Sequence, residues 1–164
     1  MSVLREIVQK VKELLDDLET LEKEEKTTDF EYPFKIGDTC FFINVVGEPV
    51  ERKWSNHVYE ENAYKQGHIF KTKQEVYKER DKRDLLMRFN EFRDKCNGDW
   101  KPDWEDKSED KFCILFNHES SELKSNWCSY SQPFSSFGFF KNIEDANRAI
   151  ELFGDEIVRL WVDE

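Results

Sequence analysis

Glycine and proline are scarce in this chain, at six and four of 164 residues. Neither a G-x-G-x-x-G turn nor a Walker pattern occurs, so the common backbone cradles for nucleotide phosphate are missing. No G-x-S-x-G nucleophile elbow is present. The three histidines, His57, His68 and His118, stand in or beside expected turns, and none has the i, i+4 partner of a helical metal site. The four cysteines, Cys40, Cys96, Cys113 and Cys128, are widely spaced and form no C-x-x-C pair. Free thiols in a reducing compartment are the simplest reading. A Cys–His nucleophile pair could form in three dimensions, for instance from Cys113 or Cys128 with His118; small core hydrophobes are the plainer reading of the cysteines. No cofactor, metal or catalytic residue is therefore expected, and the chain is not read as an enzyme.

No apolar run is long enough to cross a bilayer. Met1-Ser2-Val3-Leu4-Arg5-Glu6 lacks the basic start and apolar block of a secretory signal. The expected compartment is the cytoplasm. Lys plus Arg number 25 against 36 Asp plus Glu, for a net charge of −11. That balance disfavours undirected binding to nucleic acid or to an anionic membrane.

What the chain does have is rings: Phe, Trp and Tyr make up 15% of it, so a few large side chains can fill the core. Residues 1–26 read as an amphipathic helix. Leu4, Ile7, Val11, Leu14, Leu18 and Leu21 recur at alternating spacings of three and four, the a/d seam of a short coiled coil. Val3, Val8 and Leu15 widen the stripe, which suits either self-association or packing on the same chain. Residues 27–33 read as a linker.

From 34 to 98 the pattern predicts a hairpin (Asp38 to Val46, a turn at Gly47-Glu48-Pro49, then Val50 to Trp54). A polar stretch follows, then a short strand around Ile69 and a helix opened by the capping box Thr72-x-x-Glu75. This helix should stop at Asn97-Gly98. Lys78 and Lys82 fall on its apolar arc, so its first half is expected to overhang the core or to bend near Arg80 to Asp84. From 111 to 164 the plan returns: a strand from Lys111 to Asn117, a strand from Leu123 to Ser131 carrying Trp127, and a short strand at Gly138 to Lys141. A helix starting at Asn142 and broken at Gly154 completes it. Phe70-Lys71-Thr72-x-x-Glu75 matches Phe140-Lys141-Asn142-x-x-Asp145, and Trp54 and Trp127 each follow a hairpin turn. The expected fold is α+β, two pseudo-repeated β-β-(β)-α units with antiparallel hairpins behind an N-terminal helix.

The connector 99–110 concentrates charge. Asp99, Asp103, Glu105, Asp106, Glu109 and Asp110 outnumber Lys101 and Lys107, and Trp100 and Trp104 are interleaved. Acids around exposed aromatics make a protein-binding surface, since Trp is enriched at interface hot spots. In the alternative both Trp rings fold back as plugs at the end of the middle helix. From Lys71 to Lys95 nine basic residues face six acidic ones, a phosphate site or only a solvated helix face.

The Trp-bearing hairpins, the run Trp100-Lys101-Pro102-Asp103-Trp104 and the Phe-Lys-Thr and Phe-Lys-Asn helix starts resemble small accessory proteins of phages and prophages of Gram-positive bacteria. The resemblance covers about residues 34–161. It implies a phage accessory gene and, by analogy with other small acidic phage proteins, a non-enzymatic inhibitor of host defence of the anti-CRISPR kind. The −11 charge, the acidic Trp-bearing connector and the lack of catalytic motifs point to a partner with a basic surface, a bacterial nucleic-acid-handling protein. The rival reading is a protein that sequesters a nucleotide signal on the basic middle helix; an enzyme of unknown class comes third.

Overall fold

The computed structural model describes residues 8–12, 32–128 and 132–163. The described residues form a mixed α+β fold with two small antiparallel sheets. Residues 8–12 are helical, with Val8 and Val11 about half exposed. Leu4, Ile7, Leu14, Leu18 and Leu21 lie outside the described residues, as do positions 129–131 of the expected last strand.

In the first sheet β1 (Thr39–Ile43) is central, flanked by β2 (Pro49–Lys53) and β3 (Ile69–Phe70). Pro49 opens β2 instead of sitting in the turn, at the first residue of a strand, where its missing N–H is tolerated. Asn44 closes the turn by accepting the N–H groups of Val46 and Glu48 on Oδ1. Gly47 has φ +81°, and a Cβ there would stand 2.5 Å from the Arg80 side chain, so only glycine fits.

The polar stretch after the hairpin is helical. It forms α1 (Val58–Lys65), capped by His57. His57 Nδ1 accepts the Tyr59 N–H, and the Glu60 carboxylate accepts the His57 N–H and both the N–H and hydroxyl of Ser55. Apolar periodicity is weak over Val58–Lys65, which hides the helix. The spacing His57-x-x-Glu60 is its surviving signal. α1 and the sheet enclose an aromatic core of Phe34, Cys40, Phe42, Trp54 and Ile69. Trp54 stacks on Phe34 at 5.2 Å and meets Tyr32 at 5.5 Å.

The long helix α2 (Lys73–Asn97) starts with the expected capping box and ends at Gly98 with φ +57°. It is unbroken, and its first half does not overhang: Val76 is fully buried. Lys82 places its ammonium 5.5 Å from the Trp161 ring, and Arg159 reaches Asp81 at 3.7 Å. Lysine on the apolar arc is accommodated because its stem packs while its charge meets a ring face.

The second sheet pairs β4 (Phe112–Asn117) with β5 (Glu122–Trp127). The expected short strand reduces to a single bridge, Phe112 to Phe140. α3 (Ile143–Ile157) is not broken at Gly154 but runs on into a π-helical turn, Val158–Val162. Gly154 lies within van der Waals reach of Leu123 and Ile150, and its helix is held by tertiary packing. The face of α3 that is buried carries Ala146, Ala149 and Ile157, while Ile143 is exposed. Together with Leu85, Phe89, Ile114, Phe137, Phe140 and Leu160 they form the second core.

The hairpin tryptophans stand in unlike places. Trp54 pairs with Asp38 beyond the end of β2 and is buried. Trp127 pairs with Phe112 and is 50% exposed.

Candidate protein-binding surface

Residues 99–110 leave α2 at Gly98 and return at Lys111 to start β4. The loop is ordered around two side chains, Lys111 and Glu109. Lys111 is fully buried. Its ammonium donates to the carbonyls of Asp106 (2.9 Å) and Glu109 (3.1 Å) and pairs with Glu109 Oε2 at 3.2 Å. An ammonium carries three donors and no acceptor, so this cage satisfies it. Glu109 completes the frame from the other side, accepting the Trp100 indole N–H on Oε1 (2.7 Å) and the Asp103 N–H on Oε2 (2.9 Å). The Asp103 N–H, joined by the Trp100 indole and Lys111, holds its carboxyl below the usual glutamate range against an opposing push from burial.

The remaining acids have divided roles. Asp103 Oδ1 accepts the Glu105 N–H, and Asp106 Oδ1 accepts the hydroxyl and N–H of Ser108. These are side-chain turns of the kind Asp favours. The Ser108 hydroxyl and N–H hold the Asp106 carboxyl below its ordinary value. Asp110 accepts the Trp127 indole N–H at 2.8 Å, which joins the loop to the end of β5. Asp99, Asp103, Glu105, Asp106 and Asp110 are exposed, while Trp100, Trp104 and Glu109 are half-buried. Trp104 meets the Phe139 ring edge-on at 5.0 Å and lies under the Lys111 ammonium at 5.5 Å.

Two participants escaped the sequence reading. Lys111 was legible only as a strand start, although it alternates with the buried Cys113 and so falls on the same strand face. Trp127 was legible only as a residue of the strand after the hairpin turn; half its surface is open beside Asp110.

The four arginines of the basic run on α2 are paired in place. Arg80 pairs with Asp81 and Glu48, Arg83 with Glu79, Arg88 with Asp84 and Glu156, and Arg93 with Asp94. A cleft of 590 Å³ lies between the start of α2 and the π-helical turn, lined by two acids, Glu75 and Asp81, and two bases, Lys78 and Arg159. Its Arg159 faces Asp81. His118 sits at the turn of the β4–β5 hairpin against Phe116 at 5.0 Å, at the opposite end from Cys113 and Cys128. No group of three or more His, Cys, Asp or Glu side chains among the described residues could hold a metal ion. No described helix is long and apolar enough to cross a membrane.

Comparison with known proteins returns no match, whether to family models, to curated proteins or to solved structures.

Proposed function

We propose that this is a phage accessory protein that inhibits a bacterial defence system by protein–protein contact, in the manner of an anti-CRISPR protein. Its acidic loop would occupy a basic surface on a nucleic-acid-handling host protein in the bacterial cytoplasm, with carboxylates standing where phosphates otherwise bind. The reading is of a binder, not of an enzyme. One observation carries it: the buried Lys111 and the Glu109 carboxylate fix the loop from within, leaving Asp99, Glu105 and the other exposed acids on a pre-set frame. A loop ordered before contact avoids much of the entropy cost of binding. The two hairpin-and-helix units, 34–98 and 111–164, are read as copies of one module, supported by an antiparallel hairpin in each and by helices that both start from extended backbone at Thr72 and Asn142, although only Thr72 caps with its side chain. The helix of residues 1–26 would add self-association.

A nucleotide-sequestering role has less support, because each α2 arginine already faces a carboxylate and the cleft beside it carries balanced charge. The test is affinity capture from a lysate of a defence-carrying bacterium, followed by association kinetics with the captured protein across a salt series. Fast association that slows as salt rises supports the reading, since exposed charges are screened beyond about 10 Å at 0.1 M. Binding that ignores salt, or a nucleotide co-purifying in place of a protein, would overturn it.

A further inference from the structure

Cys113 and Cys128 are brought together on one face of the β4–β5 hairpin, their sulfurs 2.8 Å apart. Both are buried, at 1% and 5% exposure. The other two thiols are differently engaged: Cys40 donates to the Arg52 carbonyl at 3.6 Å, and Cys96 lies beside Asp145. A shared metal does not fit the pair. Two thiolates on one tetrahedral zinc, each about 2.3 Å from it, stand roughly 3.8 Å apart. Only a sulfur–sulfur interaction suits the observed spacing, and a covalent bond of about 2.05 Å needs a further closure of less than an ångström.

We propose that Cys113 and Cys128 are a disulfide-forming pair, closed by oxidants such as hydrogen peroxide and reopened by small thiols. This inference stands apart from the partner proposed above. The Cys128 sulfur, the less buried and just past the end of β5, attacks one peroxide oxygen as thiolate. The O–O bond breaks, the departing hydroxide takes up the Cys128 proton as water, and a sulfenic acid remains. Cys113 sulfur then attacks the Cys128 sulfur, the S–O bond breaks, and the leaving hydroxide takes the Cys113 proton as a second water. Two thiols and one peroxide thus give one disulfide and two waters. Burial pushes the Cys113 thiol up to about 12, so Cys113 stays protonated and is the resolving rather than the first-attacking sulfur. The Cys128 N–H also donates to the Lys111 carbonyl at 2.8 Å, so the crosslink would brace the strand that anchors the acidic loop.

The test uses the full chain treated with hydrogen peroxide under denaturant-free conditions. The expected product is lighter by two hydrogens, retains two titratable thiols, and yields a peptide in which Cys113 and Cys128 are joined. The crosslink encloses a segment with ends 15 positions apart. Melting should therefore rise by about 5–10 °C on oxidation and fall back with dithiothreitol. A C40S/C96S double variant should oxidise in the same way, and C128S should not. A peptide map that keeps Cys113 and Cys128 apart, with oxidation at Cys96 or sulfinate at Cys128 instead, overturns the proposal. That map needs only the wild-type chain, so poor folding of a variant does not blunt it.

Discussion

The Lys111 ammonium lies 5.5 Å from the centre of the Trp104 ring, and that ring meets Phe139 edge-on at 5.0 Å. One buried cation thus touches both the backbone of the acidic loop and the aromatic that joins the loop to Phe139. Lys111→Ala leaves two loop carbonyls without their donor and the Glu109 carboxylate without its cation. The expected loss is about 3 kcal/mol, because removing one partner of a buried pair strands the other. Urea denaturation followed by tryptophan emission measures it. A loss below about 1 kcal/mol would mean that water replaces the ammonium and that the loop does not depend on it.

Glu109 makes the loop acid-sensitive. Its carboxyl is held down in the folded state by the Asp103 N–H, the Trp100 indole and Lys111. A folded value below the unfolded one means that stability is fully present above the ordinary glutamate value of 4.5 and is lost as pH falls through the depressed value. Emission from Trp100 should change in that window, before global unfolding. Glu109→Gln should shrink the acid step, leaving the share that Asp106 contributes in the same direction. An unchanged step in the variant assigns the transition to other groups.

Glu60 tests the helix that the sequence concealed. Burial pushes its carboxyl up, but the N–H and hydroxyl of Ser55 and the His57 N–H pull it down further, leaving it below its ordinary range. Glu60→Ala removes one acceptor from three donors and should destabilise the protein by about 1–2 kcal/mol. Glu60→Gln should recover part of that. Chemical denaturation of the two variants side by side gives the comparison.

What could be read in advance depended on whether a segment's signal was local. Thr72-x-x-Glu75 and Asn97-Gly98 fix both ends of α2 through contacts within a few residues, and both ends were legible. α1 was not, because its cap is a histidine and its buried face is only Ala63, Tyr64 and the Glu60 stem. Gly154 misled because propensity alone penalises glycine in a helix, whereas packing against Leu123 keeps the helix running. The continuity of α2 past Lys78 and Lys82 required knowing that Trp161, 79 positions on from Lys82, would return to cover the ammonium. At the acidic loop the sequence supplied the right charges but not their division into frame and surface. That division rests on Lys111, whose burial shows only when β4 is paired and the loop is closed.

Val8 and Val11 are about half exposed on the single chain, which leaves room for a second helix against them. If residues 1–26 self-associate, deleting them should yield a folded species of lower oligomeric order by light scattering. Leu14→Asp should act like the deletion, since an unpaired charge on a buried seam costs several kcal/mol. Unchanged assembly after deletion assigns the helix to its own chain or to solvent.

Binding and folding can be separated at the acidic surface by choosing carboxylates according to what they hold. Reversing Asp103, Glu105 and Asp106 together mixes two effects, because Asp103 and Asp106 each accept backbone N–H groups inside the loop. Asp99 and Glu105 are exposed, and the loop's side-chain hydrogen bonds run through other residues. Asp99→Lys with Glu105→Lys should therefore leave the melting temperature within about 2 °C of wild type, as surface changes seldom exceed 0.5 kcal/mol. The same pair should slow association with the captured partner about tenfold at low salt, and the deficit should shrink as salt rises. The tryptophans should divide in the same manner. Trp104→Ala removes a ring braced by Phe139 and Lys111, so melting falls and any binding loss follows it. Trp127→Ala removes a ring that is half open beside Asp110, so dissociation should quicken, at a cost of about 2 kcal/mol, with a smaller change in melting. Melting and kinetics on each variant decide the matter. If Asp99→Lys with Glu105→Lys binds as wild type does at low salt, the acidic loop is a solvated surface and the partner engages another face.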